Sequence, residues 1–160
     1  AGIALNVQAI STPTFPLIES SGKNLLKLYL NDVGILTSIL YGSNIRAILE
    51  DERSINLGSV YESVVASELI AHGYNLFYYD NRSKGEVDYL IDDYDSLSAV
   101  PIEVKSGKDY TVHSALSTFI KNDDYHVKKA FVLSNTREIT TNGKITYLPI
   151  YDVMFLQNNS

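Results

Sequence analysis

A chain of 160 residues with 45% hydrophobic and 20% charged side chains has ordinary globular composition, which excludes a disordered tail and a fibre. Its 13 Lys+Arg against 19 Asp+Glu give a net charge of −6, and no third of the sequence is basic, which argues against a domain that holds phosphates unaided. The absence of cysteine removes disulfides and thiolate metal sites and is compatible with a cytoplasmic setting. No apolar run approaches the length of a membrane span, and no basic-plus-apolar signal region opens the chain. The sequence begins Ala1-Gly2-Ile3 and its only Met is Met154, so it reads as a piece of a longer protein, the alternative being an N-terminally processed small one.

In chain order, Ile3–Val7 suits a strand, and Pro13, Pro16, Ser20, Ser21 and Gly22 mark a loop or linker. Leu25–Leu30 reads as a short strand. Asn31 or Asp32 then caps a short helix to about Leu40, which Gly42 ends. Residues 44–53 are polar. Ser54–His72 is the clearest helix, with apolar residues at Leu57, Val60, Tyr61, Val64, Val65 and Leu69 and a stop at Gly73. Tyr74–Tyr79 and Glu86–Ile91 are strand-like, joined by a turn at Arg82–Gly85. A polar turn, Asp92–Ser98, leads to a third strand, Ala99–Lys105, with Pro101 near its start. Ser106-Gly107-Lys108 breaks that strand, Val112–Lys121 suits a helix, and Ala130–Ser134 a buried strand. Asn142-Gly143 predicts a type I′ hairpin between Glu138–Thr140 and Lys144–Leu148, before a final short helix over Ile150–Leu156. Helix, three strands, helix, strand and hairpin predict an α/β fold with helices packed around a mixed sheet.

Alternation along strands puts Glu86, Asp88 and Leu90 on one face and Val87, Tyr89 and Ile91 on the other. Glu103 and Lys105 likewise share a face, opposite Ile102 and Val104. If the Asp92–Ser98 turn makes these strands a hairpin, Asp88, Glu103 and Lys105 converge. Glu62 is a possible fourth member, because its helical neighbours Gly58, Ser59, Val65 and Ala66 are small or apolar and allow a close approach to a sheet. Three carboxylates around one point are the oxygen ligands that Mg²⁺ or Mn²⁺ prefers, and a metal so held polarises a phosphodiester and acidifies a bound water. A lysine two residues from a ligand can orient that water or stabilise the developing charge. On pattern alone the same residues also suit two solvated strands with a Glu–Lys bridge.

Five segments carry a resemblance. They are Lys27-Leu28-Tyr29-Leu30-Asn31-Asp32-Val33-Gly34-Ile35-Leu36, Leu57-Gly58-Ser59-Val60-Tyr61-Glu62, Gly85-Glu86-Val87-Asp88-Tyr89-Leu90-Ile91, Pro101-Ile102-Glu103-Val104-Lys105-Ser106-Gly107 and Leu148-Pro149-Ile150-Tyr151. Together, over roughly residues 15 to 156, they resemble the C-terminal domain, of unknown function, of bacterial and archaeal AAA-type ATPases, which is similar to PD-(D/E)XK nucleases. The resemblance implies a restriction-endonuclease-like αβββαβ core spanning residues 25–160. Residues 1–24 would be a linker or the end of a preceding domain. It carries the helix acid onto Glu62, the first-strand acid onto Asp88, and the Glu-x-Lys pair onto Glu103 and Lys105. Mg²⁺ (or Mn²⁺) would be held by Asp88, Glu103, the Val104 carbonyl and Glu62, with Lys105 activating water. It also implies an N-terminal ATPase domain in the same protein, where any ATP would bind, and DNA or RNA as a possible partner. No G-x-x-x-x-G-K-[ST] is present; Ser20-Ser21-Gly22-Lys23 is not one. The Gln-x-x-x-Tyr element of many active relatives has no counterpart, since Val112–Lys121 contains no Gln.

Two functions stay open at this level: a Mg²⁺-dependent nuclease domain, and a non-catalytic interaction or regulatory module of an ATPase. Elsewhere His72, His113 and His126 show no ligand spacing and read as surface or loop residues. Twelve tyrosines suggest base stacking, yet Tyr78, Tyr79 and Tyr89 fall in strands, where aromatics are normally core. Lys128-Lys129 and Arg82/Lys84 read as solvated spots. Asp92-Asp93-x-Asp95 lacks the Gly and distal Glu of a calcium loop and reads as a turn.

Overall fold

A computed structural model describes residues 3–20, 22–42, 57–107 and 109–158, and within them eight strands form one mixed sheet. The strands are β1 (Ala4–Ile10), β2 (Gly22–Leu30), β3 (Phe77–Asn81), β4 (Gly85–Asp93), β5 (Ser98–Lys105), β6 (Ala130–Ser134), β7 (Thr140–Asn142) and β8 (Ile145–Pro149). Their order is β2-β1-β3-β4-β5-β6-β8-β7. Pairs β1·β3, β5·β6 and β6·β8 are parallel; β1·β2, β3·β4, β4·β5 and β7·β8 are antiparallel. The stretch expected to be a joint thus contributes β1 to the interior of the sheet. The polar stretch 44–53, the expected helix start at Ser54, and Ser21 and Lys108 lie outside the described residues.

Among the described residues three α-helices accompany the sheet: α1 (Val33–Tyr41), α2 (Gly58–Ala71) and α3 (Ser114–Ile120). The Asp32 side chain caps α1 by accepting from the Ile35 N–H at 3.1 Å. At the end of α2, Gly73 has φ +85°, its N–H bonds the Ile70 carbonyl, and the Tyr74 N–H bonds the Leu69 carbonyl. That is a Schellman motif, which needs a residue free to adopt positive φ. It also uses Tyr74 to close the helix, so β3 begins at Phe77 rather than at Tyr74.

The two faces of the sheet are covered separately. Val65, Ala66 and Leu69 of α2 pack on Val7, Tyr89, Ile91, Val100 and Ile102. Leu116 and Phe119 of α3 pack with Tyr79, Val87, Leu90 and Val132 on the other side. Residues 98–104 of β5 are therefore buried throughout, as a central strand covered on both faces requires. Pro101 is accommodated because β6 runs beside β5 only from Ile102 onward. Leu69 is fully buried and anchors α2 to the sheet. Leu69→Ala is expected to cost about 2–5 kcal/mol through lost burial and a residual cavity, read as a shifted urea midpoint.

Three local details differ from expectation. The hairpin loop is Gly143-Lys144, with Asn142 paired to Ile145 in the ladder; only Gly143 has positive φ, the type II′ pattern rather than type I′. The strand leading into it covers Thr140–Asn142 rather than Glu138–Thr140. The final helix, Ile150–Phe155, is 3-10.

Candidate functional site

Between Phe77 and Tyr79 of β3, its partner β4 advances from Leu90 to Val87, three residues against two. This β-bulge resets the alternation expected for Glu86–Ile91. Val87 and Leu90 both belong to the α3-side core, while Tyr89 and Ile91 belong to the α2-side core. Bulges re-aim side chains next to functional sites, and the residue at this one is Asp88.

The expected hairpin is present: β4 and β5 pair from Asp93↔Ser98 to Tyr89↔Ile102, and their pairing ends there. Past that point the Asp88 carboxylate takes the place of a ladder carbonyl. Its Oδ2 accepts a hydrogen bond from the Val104 N–H at 2.8 Å. A strand residue's N–H and C=O lie on the same edge, so the Val104 carbonyl faces the same gap. The site lies where β5 ends, beside the parallel β6, with Lys105 paired to Ser134. Crevices beyond the carboxyl ends of parallel strands are where open α/β sheets bind ligands.

Glu103 is only 6% exposed. Its Oε1 pairs with the Lys105 Nζ at 2.7 Å, and its buried Oε2 has no hydrogen-bond partner. A buried carboxylate oxygen without a donor is costly, so it marks a place where something else would contribute. Asp88 is affected in turn. Burial first, then the Glu103 charge, push its pKa up to about 7; the Val104 N–H and Lys27 pull it down, and Glu62 adds to the rise.

Glu62 sits on α2, one turn beyond its start, and is held otherwise than expected. Its Oε2 accepts from the Tyr29 OH at 3.1 Å, and its main-chain carbonyl accepts from the Tyr89 OH at 2.9 Å. Among the described residues no group of three or more His, Asp and Glu side chains is gathered closely enough to hold a metal ion. Asp88, Glu103, Val104 and Lys105 are brought together around the gap, and the expected third carboxylate, Glu62, does not join them in a metal-holding group but is engaged by Tyr29 and Tyr89. The oxygen-only set of Asp88, Glu103 and the Val104 carbonyl, with the orphaned Glu103 Oε2, fits a hard divalent cation of the Mg²⁺ type.

Sequence reasoning did not place Lys27, Tyr29 or Glu86 at the site. Lys27 and Tyr29 lie two apart on β2, and Lys27 forms an ion pair with Glu86. The only local signal was that they share a strand face; their distance in sequence from Glu86 and Glu62 hides the contact.

The other candidates are accounted for by structure. His113 is not a surface residue: it is buried, its Nε2 is 2.8 Å from the Tyr147 OH and its Nδ1 3.2 Å from Ser117 Oγ. His72 Nδ1 donates to the Leu156 carbonyl at 2.7 Å, and His126 is exposed. Tyr78, Tyr79 and Tyr89 are core. Asp92 accepts from the Leu17 N–H at 2.9 Å and Asp93 pairs with Lys129 at 3.0 Å, so the acidic turn ties neighbouring segments together.

The family model for a domain of unknown function (DUF4143) matches residues 57–153, more than half of the sequence, and the chain belongs to that family. No curated protein and no solved structure matches it. No helix among the described residues is long and apolar enough to cross a membrane.

Proposed function

We propose that this member of the family is a nuclease-like domain of a larger cytoplasmic AAA-type ATP-binding protein, and that it hydrolyses phosphodiester bonds of nucleic acid with Mg²⁺ or Mn²⁺. The observation that carries the reading is the gap between β4 and β5. There Asp88 replaces a strand carbonyl at the Val104 N–H, and Glu103 keeps a buried oxygen free beside it. The order α2, β3, β4, β5, α3, β6 is that of the αβββαβ core of PD-(D/E)XK nucleases and supports the same assignment.

In this mechanism Asp88, Glu103 and the Val104 carbonyl would hold the metal. When bound, the metal polarises the scissile phosphodiester and lowers the pKa of the attacking water. The Lys105 ammonium, held 2.7 Å from Glu103 Oε1, would orient the attacking water and stabilise charge on the phosphoryl oxygens; as the water oxygen bonds to phosphorus its proton would pass to solvent, and the P–O ester bond would break with the leaving oxygen taking a proton from solvent. Tyr29 holds the Glu62 carboxylate and Tyr89 its main-chain carbonyl, and Glu62 would serve as an outer ligand or toward a second cation. Because no third of the chain is basic, most of the grip on nucleic acid falls to other parts of the protein, the N-terminal ATPase domain foremost.

A second reading is a non-catalytic interaction or regulatory module of the ATPase. The Glu103–Lys105 pair favours it, since Lys105 is engaged within the protein, although Glu103 is buried rather than facing bulk solvent. Incubation with single- and double-stranded DNA and RNA decides between them. Cleavage is expected with Mg²⁺ or Mn²⁺, none with a chelator, and a loss of about 10³-fold or more in Asp88→Asn. Substrates left intact under every metal, or cut equally by Asp88→Asn, exclude hydrolysis by this site and leave the interaction module.

A further inference from the structure

Strand β2 is the outermost strand on one side of the sheet, and among the described residues no strand pairs with its outer edge. It is nine residues long and contains no proline. Both of its charged side chains are engaged within the chain: Lys23 pairs with Asp80 at 3.0 Å, and Lys27 pairs with Glu86. Natural edge strands are commonly guarded against pairing by shortness, proline or free charges, and β2 shows none of these. Its irregularity against β1 lies between Gly22 and Leu26, so Leu26–Leu30 is regular strand. The ladder also gives the direction of its main-chain groups. The Asn31 N–H bonds the Ile3 carbonyl at 2.9 Å, and from Leu30 to Leu26 the pairing with β1 is unbroken. Inward and outward groups alternate in an antiparallel ladder, so Tyr29 and Lys27 bond β1, while the N–H and C=O groups of Leu26, Leu28 and Leu30 point outward. Tyr29 belongs to the α2-side core and Lys27 lies over the Tyr78 ring, so the Leu26 and Leu28 side chains take the opposite face. They are 54% and 65% exposed, and their neighbours on β1, Gln8 and Asn6, are exposed as well. In the other layer α1 follows β2 after two residues, packs on α2 and leaves Ile35, Ile39 and Leu40 exposed.

We propose that β2 pairs with β2 of a second copy of this chain, antiparallel about a twofold axis at Leu28, joining two sheets into one. The strand's own sequence selects this partner and this register. With Leu28 opposite the partner's Leu28, Leu26 meets the partner's Leu30. Three leucines of each copy then form one apolar row, and their outward main-chain groups bond one another. On the other face Lys27 stands opposite the partner's Tyr29, so no like charges meet. An axis at Lys27 would oppose two ammoniums. An axis at Leu26 would set Leu28 against Asn24 and draw the irregular residues before Leu26 into the joint. β2 and α1 supply nine residues each, close to the roughly 20 per side of a standard interface. The joint is isologous: it uses up the β2 edge of both copies, so association through it stops at two. The pairing stands whether or not the candidate site binds metal.

Analytical ultracentrifugation of the 160-residue chain and placement of single cysteines test this. The chain is expected to sediment at twice 17.8 kDa at about 100 µM, where micromolar complexes are populated. Leu28→Lys sets two ammoniums against each other at the axis and is expected to raise the dimer dissociation constant at least about tenfold. Ile139→Lys makes the same change in net charge on an exposed residue far from β2 and is expected to stay within about twofold. The chain has no cysteine, so an introduced thiol can link only to its own copy. Cα atoms paired across an antiparallel ladder lie about 5.5 Å apart, within the span of a disulfide, and Leu28→Cys is expected to give a covalent dimer on mild oxidation. Leu26→Cys would stand roughly 13 Å from its copy, four residues' rise along the strand, and is expected to stay unlinked. Circular dichroism establishes that each variant is folded, and the cysteine pair decides if Leu28→Lys is not. A monomer at every concentration overturns the proposal and leaves the β2 edge to a different polypeptide. So does a dimer that Leu28→Lys leaves intact, or one that oxidation links through Leu26→Cys and not through Leu28→Cys.

Discussion

Asp88→Asn is expected to make the metal-free protein more stable at pH 8 while abolishing its response to metal. Asp88 has its pKa pushed up to about 7, by burial first and by the Glu103 charge second. Its charged form is therefore tolerated less well in the folded state than in the unfolded chain, where an aspartate titrates near 3.8. The sign follows from linkage: the contribution of Asp88 to stability is fully present below about pH 4 and is lost as pH rises through about 7. At about 1.4 kcal/mol per pKa unit, the penalty at pH 8 is on the order of 1–4 kcal/mol. An asparagine keeps an oxygen to accept the Val104 N–H and carries no charge. The melting temperature should rise by roughly 3–10 °C at pH 8, and the difference should vanish toward pH 4. Adding Mn²⁺ reverses the order: the unaltered chain is stabilised by binding and the variant is not. Thermal melts of both proteins at several pH values, with Mn²⁺ and with a chelator, give the answer. Equal melting temperatures in chelator at pH 8, or a Mn²⁺ response kept by Asp88→Asn, would sink the assignment. A more stable variant also makes the loss of cleavage attributable to chemistry and not to unfolding.

Lys105→Met should act in the opposite direction. Glu103 is buried, its Oε2 has no partner, and its Oε1 relies on Lys105 at 2.7 Å. Removing the ammonium leaves a buried carboxylate uncompensated, a change that typically costs about 3–5 kcal/mol. The Lys105 side chain is 30% exposed, so water screens part of the pair and about 2–4 kcal/mol is expected at pH 7. Methionine preserves the stem, which limits the contribution of lost packing. The double variant Glu103→Gln/Lys105→Met should recover most of the loss, because it removes the orphaned charge together with its partner. Urea unfolding of the two single variants and the double gives the coupling energy. A cost below about 0.5 kcal/mol for Lys105→Met, with no recovery in the double variant, would show that the pair is an ordinary solvated bridge.

These two expectations describe one site from two sides. Asp88 is held at a cost that a cation would relieve, and Glu103 is held by a lysine that offsets only one of its oxygens. Proteins accept such local penalties where they bind or react, because the groups that serve chemistry are rarely the ones that best serve stability.

Strand periodicity in the sequence was enough to expect Asp88, Glu103 and Lys105 near one another, with Val104 entering only through its main chain. All four lie on adjacent strands joined by a short polar turn, so strand periodicity and a local hairpin bring them within reach. The alternating and helical apolar patterns likewise determined α2, β5 and β6, whose apolar faces must be buried. Only the tertiary structure decided the rest. The bulge at Asp88 depends on how β4 pairs with β3, and no local pattern specifies an extra residue in one of two strands. Lys27 and Tyr29 reach Glu86 and Glu62 across 59 and 33 residues of sequence, through the pairing of β2 with β1 and of β1 with β3. His113 reads as an isolated polar residue until Tyr147, from another part of the chain, encloses it. Periodicity reports the face a side chain takes within its own element; which distant element meets that face is fixed only when the whole sheet is assembled.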